Sequence, residues 1–192
     1  MKVTRANETD IQQLVALNNK YVAAGLTLKR TDDFAYAHLA DYRVIRDADG
    51  GVVACVALDE YSPTIVELVS LAVTQDAQGL GYGKALIAAA EKLARKRGYE
   101  QLFAVSYSDD LFLGCGFEHA ELAQYPEKIA RYKVDKSELE VGEKHCFKEL
   151  FPVHAPGARP HQDQAPRPVG MRDGEIPGDI GAHRAATEVH LA

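Results

Sequence analysis

Apolar and polar positions alternate with changing period along the first 151 residues, and each change marks an element. A short β-type run, KVTRA (Lys2 to Ala6), opens the chain. Ile11, Leu14, Val15 and Val22 then recur at helical spacing, which predicts an amphipathic helix from Thr9 to about Ala24. Thr9 and Gln12 fit a capping box, the hydroxyl accepting from a helical amide while the glutamine reaches back. Thr31, followed by Asp32 and Asp33, caps a second short helix to about Leu39, because acidic groups favour the positive end of a helix. YRVIRD and GVVACVAL flank ADGG, an Asp-Gly turn that predicts a hairpin. TIVELVSLAV (Thr64 to Val73) is a longer β-rich run in which only Glu67 is charged. From Gly83, KALIAAAEKLARKRG places Leu86, Ala90, Leu93 and Ala94 on one helical face; Arg95, Lys96 and Arg97 sit at its negative end and Gly98 stops it. QLFAVSY (Gln101 to Tyr107) is a further strand, followed by a helical turn through Leu111 and Phe112, GCGF, and a final pair of strands. The succession predicts an α/β (α+β) domain over residues 1–151.

Beyond Phe151 the pattern is lost. Six of the 8 prolines and four of the 7 histidines (His154, His161, His183, His190) fall there, with no phenylalanine or tyrosine. Such a segment cannot bury enough apolar surface to offset its ordering entropy, so 152–192 is expected to be a disordered tail. The net charge of −6 and the lack of a basic cluster argue against nucleic acid as a partner. No apolar run approaches the roughly 18 residues of a membrane span, and the opening MKVTRANETD does not read as a secretory signal. A soluble cytoplasmic protein is expected. The 3 cysteines, Cys55, Cys115 and Cys146, show no paired spacing, so neither a disulfide framework nor a metal site is expected. Assembly is open, a homodimer being one candidate.

The chemistry concentrates in QGLGYGK, Gln78 to Lys84, between the long strand and the strong helix. Gly79, Gly81 and Gly83 permit positive φ and leave no Cβ between a main-chain amide and an approaching anion. A helix N-terminus at that place supplies free amides and a favourable dipole, and Lys84 adds a cation. The loop has neither the spacing of a Walker phosphate loop, since Ala85 follows the lysine, nor that of a dinucleotide-binding fingerprint. It fits a third pattern, [QR]-x-x-G-x-[GA], through Gln78, Gly81 and Gly83.

On that loop, and on the stretch from Glu67 to Gly98 around it, the chain resembles the GNAT N-acetyltransferases; the order of elements extends the likeness to nearly all of residues 1–150. The resemblance implies a mixed central sheet flanked by helices, whose fourth and fifth strands splay apart, with acetyl-CoA as co-substrate in the gap and no metal. It implies that backbone groups of Leu71, Ala72 and Val73 pair with the pantetheine arm as an added strand would. The loop Gln78, Gly79, Leu80, Gly81, Tyr82, Gly83 and Lys84 would hold the pyrophosphate. Glu67 stands where many members carry a general base, although a solvated glutamate at a strand start is the alternative. Many members place a tyrosine five residues before the phenylalanine of the Gly-Phe pair; here Phe112 stands before Phe117. Tyr107, Ser106 or Ser108 are substitutes for that acid, and unaided departure of the thiolate is equally acceptable.

Three softer likenesses, LKRTDDFAYAHLADYRV, GGVVACVAL and YPEKIARYK, resemble short N-acetylglutamate synthases of arginine biosynthesis. They imply a small acidic amino acid as acceptor, with Arg30 as its carboxylate clamp and Lys29 and Lys128 as supporting charges. Solvated surface charge is the competing reading of Arg30 and Lys29. Another amine (a polyamine, an antibiotic or a protein N-terminus) and an acyl-CoA sensor without turnover remain alternatives.

Overall fold

Asn7, rather than Thr9, starts the first helical segment. The computed structural model describes residues 1–134 and 144–151, so the segment 152–192 assigned to a tail lies outside the described residues. After β1 (Val3–Arg5), Asn7 Oδ1 accepts from the Thr9 amide at 2.9 Å, and the Asp10 carboxylate accepts from the Asn7 amide at 2.7 Å. This reciprocal cap opens a 3-10 turn that continues as α1 (Ile11–Asn19), displacing the capping box expected at Thr9 and Gln12. The helix stops well short of Ala24 and passes into i→i+3 turns, the Tyr21 and Val22 amides donating to the Asn18 and Asn19 carbonyls, while the two asparagine side chains bind a loop. Asn18 Nδ2 donates to the Leu28 carbonyl at 2.7 Å, and Asn19 Nδ2 to the Arg30 carbonyl at 2.9 Å. Thr31 caps α2 (Asp32–Ala37) as expected, its hydroxyl accepting from the Phe34 amide at 3.2 Å.

The remaining elements are β2 (Arg43–Arg46), β3 (Val52–Glu60), β4 (Ile65–Val73), α3 (Tyr82–Lys96), β5 (Gln101–Ser106), α4 (Asp109–Leu113), β6 (Glu118–Ala120), α5 (Pro126–Val134) and β7 (His145–Leu150). They build a 7-stranded sheet in the order β1-β2-β3-β4-β5-β7-β6. Adjacent strands run antiparallel except β4 and β5, which are parallel. The hydrophobic pattern does not announce α5, which intervenes between the last two strands with Pro126 at its first position, where a missing N–H costs nothing. α3 ends in a Schellman turn: Gly98, at φ +81, donates to Arg95, and Tyr99 donates back to Ala94.

Two apolar layers hold the sheet. α3 buries Leu86, Ile87, Ala90, Leu93 and Ala94 against Ile45, Val56, Leu58, Val66, Leu68 and Leu102 on one face. On the other, Leu14, Leu17 and Ala35 pack on Tyr42, Val44, Ala57, Val69 and Ala72. β4 changes its alternation in mid-strand. Val66 and Leu68 face α3, but beyond Ser70 it is Leu71 and Val73 that pack on that side, while Ala72 turns to α1. The cause is a bulge: Cys55 pairs with Ala72 and Ala57 with Val69, so Ser70 and Leu71 together oppose Val56. Ser70 sits at φ +54, the one non-glycine with positive φ among the described residues. The β4–β5 ladder comprises Ile65–Gln101, Val66–Leu102 and Glu67–Phe103 and ends there. Past Glu67 the two strands part.

Candidate active site

A cavity of about 390 Å³ opens in the gap where β4 and β5 separate. Glu67 to Val73 form one wall and Ala104 to Ser108 the other, with Asn18, Tyr21 and the Leu26–Arg30 loop closing a side. Gln78 and Gly83 stand at one end, so cavity and glycine loop are continuous.

At that end, the N–H groups of Gly79 through Lys84 donate to no acceptor among the described residues; the first helical bond runs from Ala85 to the Gly81 carbonyl. Gly79 and Gly81 lie in the left-handed region at φ +79 and +81, and a Cβ on either would meet no protein atom within 4 Å. Gly83 departs from the expectation of positive φ. It is the second residue of α3, where a Cβ would make ordinary contact with Leu111 at 3.4 Å. Lys84 is exposed, its Nζ 3.7 Å from where a Cβ on Gly114 would stand. The loop's positive character comes from its amides, the helix dipole and the Lys84 ammonium in the first turn of α3. Leu80 is exposed and Tyr82 packs into the α3 core, while Gln78 Nε2 reaches the Val73 carbonyl at 3.3 Å and the Tyr21 hydroxyl at 3.4 Å, tying the loop to the end of β4. The Tyr21 hydroxyl donates to that same carbonyl. Leu71, Ala72 and Val73 line the cavity beyond the last β4–β5 pair.

Glu67 points into the cavity region and is 3% exposed, which removes the solvated-glutamate alternative. Lys128 of α5 is equally buried, its Nζ 2.6 and 2.7 Å from the two carboxylate oxygens. Lys128 thus neutralises Glu67 and is not presented alone to a substrate carboxylate, as the sequence had led us to expect. Burial is the main cause that pushes the neighbouring Cys146 thiol up to about 12, with the Glu67 charge adding to it; burial likewise pushes Cys55 to about 12. Both thiols are inert.

Arg30 lines the cavity, and its Nε donates to Ser70 Oγ at 3.1 Å while its guanidinium lies 4.0 Å over the Phe34 ring. Its main chain is clamped on both sides by Asn19. Among the described residues no carboxylate pairs with it. Lys29 is exposed and does not line the cavity. Ser106, Tyr107 and Ser108 all line it; Ser106 Oγ accepts from the Ser108 amide at 3.1 Å, and Tyr107 is 42% exposed. Phe112 is buried, stacked on Phe147 at 5.1 Å and edge-on to Phe117 at 5.3 Å.

Three lining residues have no clear signal in the sequence. Ser70 is placed by the bulge. Lys144, just before β7, sets its Nζ 5.2 Å over the Tyr107 ring, and burial first, then the Lys128 charge, lowers its pKa. Asn18 is 1% exposed, and its Oδ1 has no hydrogen-bond partner among the described residues; a lone polar residue on the apolar face of α1 was the only available hint.

A sheet parted between its parallel strands, with a run of unbonded amides at one end of the gap, is the architecture of a transferase that lays a nucleotide-bearing thioester in its own sheet. The chain belongs to the acetyltransferase (GNAT) family, whose sequence model matches residues 11–117. An uncharacterized N-acetyltransferase of Chlorobaculum tepidum is 27% identical over 129 residues, which make up 67% of this chain and 83% of that protein. An amino-acid acetyltransferase of Neisseria meningitidis is 30% identical over 129 residues, 66% of this chain but 29% of its own length. The N-acetylglutamate synthase of Neisseria gonorrhoeae, solved in complex with coenzyme A and N-acetyl-glutamate, superposes with a TM-score of 0.68 at 26% identity, over 80% of this chain and 35% of that one. The chain therefore spans most of the Chlorobaculum protein and about a third of the two Neisseria proteins.

Proposed function

We propose that this N-acetyltransferase moves the acetyl group of acetyl-CoA to the α-amino group of a small acidic amino acid, L-glutamate first, as in arginine biosynthesis. The observation that carries the acceptor class is Arg30: a guanidinium on the cavity wall, held in place by Asn19, Ser70 and Phe34, with no carboxylate of its own among the described residues. A planar guanidinium so placed suits bidentate capture of a carboxylate. The relatives named as amino-acid acetyltransferases support the same class.

In this reading the amides of Gly79 to Lys84 hold the diphosphate and the parted edge of β4 at Leu71 to Val73 receives the pantetheine arm. Asn18 Oδ1 accepts from an N–H of the bound ligand. Glu67, directly or through a water, takes a proton from the acceptor's ammonium; the freed amine attacks the thioester carbon and a β4 amide steadies the oxyanion. The carbon–sulfur bond then breaks as the nitrogen gives its second proton to water, and the thiolate leaves unaided or is protonated by Tyr107 or Ser106. Thiols ionise near 8.5, so the step needs little help.

A cationic acceptor is disfavoured by Arg30 and Lys144 on the cavity wall. Binding of an acyl-CoA without turnover is favoured only by Phe112 at the usual tyrosine position. Thiol release from acetyl-CoA, measured with glutamate, arginine, lysine, spermidine and a peptide in parallel, tests the proposal. Preference for glutamate is expected; release with another amine alone overturns the acceptor, and binding without any release favours the sensor.

A further inference from the structure

Asp109, His119 and His145 are far apart in sequence, yet their ligand atoms all lie within 4.8 Å of one another. The sheet explains why. His119 pairs with Phe147 across β6 and β7, and His145 stands two residues before Phe147 on β7, so both imidazoles project from one face as diagonal neighbours. Their ring centroids are 5.6 Å apart, and His119 also packs 5.1 Å from the Phe147 ring. His145 pairs with Ser106 on its other side, which brings it beside Asp109 at the start of α4. Asp109 Oδ2 lies 2.6 Å from His145 Nδ1 and 3.8 Å from His119 Nε2.

We infer that these three side chains form a binding site for a divalent first-row transition ion of the Zn²⁺ type, separate from the transfer chemistry. Two imidazole nitrogens and one carboxylate oxygen are a borderline donor set that suits Zn²⁺ and excludes Mg²⁺ and Ca²⁺, which take oxygen ligands. A tetrahedral Zn²⁺ with bonds of about 2.0–2.1 Å sets its ligand atoms roughly 3.3 Å apart. The separations of 2.6 and 3.8 Å from Asp109 Oδ2 bracket that value, within the range that side-chain rotation at exposed residues spans. With side-chain exposures of 55% and 58% for the histidines and 33% for the aspartate, water completes the coordination shell. The ion joins α4, β6 and β7 at a corner whose neighbours Ser108 and Lys144 line the cavity.

Titration of ZnCl₂ into the metal-free full-length chain by calorimetry tests the site. One binding event per chain is expected, with no heat from MgCl₂. It should weaken about a hundredfold or more when His119→Ala is combined with His145→Ala, since even outer partners of metal ligands contribute 10–100-fold. Asp109→Asn should weaken it less. Replacing His154, His161, His183 and His190 by Asn should leave it intact. Survival of the event in the double variant, its loss with the four distal replacements, or no binding in the parent overturns the site. Should the double variant fail to fold, Co²⁺ added to the parent decides: weak visible bands alone support the site, and an intense near-ultraviolet thiolate band overturns it.

Discussion

Lys128 and Glu67 meet as a buried, two-contact ion pair from elements 61 residues apart, at the floor of the gap between the parallel strands. The pair is both a structural tie, since it docks α5 on β4, and the neighbourhood in which the proposed base operates.

Breaking a buried ion pair by removing one partner costs about 3–5 kcal/mol. Glu67→Gln alone is therefore expected to lower Tm, and combining it with Lys128→Met should restore most of the loss. Turnover should stay abolished in both, while acetyl-CoA binding persists in the double variant. Thermal melts and initial rates on the three proteins check this; recovered activity in the double variant would remove Glu67 from the reaction.

Arg30→Ala should raise KM for an acidic acceptor by about a hundredfold, equivalent to roughly 2.7 kcal/mol for a lost charge-assisted pair. KM for acetyl-CoA should stay within about twofold, because Arg30 is bound at Ser70 in mid-β4 whereas the glycine loop is tied to Val73 at the end of that strand. Steady-state kinetics with each substrate varied in turn separates the two, and equal rises in both constants would count against a clamp.

At Gly81, a side chain meets no protein atom but must adopt φ +81. Gly81→Ala should cost about 1–2 kcal/mol of stability through the left-handed backbone, and Gly81→Asn less, because asparagine tolerates that region. Both place atoms over the unbonded amides, so the Kd for acetyl-CoA should rise about tenfold or more, roughly one charge-assisted hydrogen bond. Calorimetric titration of the nucleotide measures it.

Further along α3, burial and then the Glu149 carboxylate raise the pKa of Glu91 to about 7 from 4.5, with Arg95 opposing. Between those two values the folded chain holds this proton more tightly than the unfolded one, so the group's contribution to stability falls as pH rises and levels off above about 7. Glu91→Gln should therefore match the parent near pH 4.5 and gain in Tm above pH 7. Melts across that range test the sign; a gap that does not widen with pH would refute it.

The glycine loop, the strand before it and the helix after it were legible because their signals are local: backbone freedom, period and capping. Glu67 stood out as the one charge in an apolar strand. What sequence could not give was partnership at long range. Lys128 reads as a supporting charge for a substrate carboxylate until α5 folds over β4 and pairs it with Glu67. The metal-type triad is invisible for the same reason, its members being gathered only by strand register.

Ser70 has a further bearing on how this chain can vary. One torsion there exchanges the two sides of β4, so the strand is written in two frames that share a single serine as their junction. Removing Ser70 alone would restore plain alternation and leave Leu71 and Val73 toward α3 and Ala72 toward α1, whereas excising Ser70 together with Leu71 would turn Ala72 and Val73 each to the wrong side. Length changes near the cavity are thus constrained by parity before chemistry is even considered.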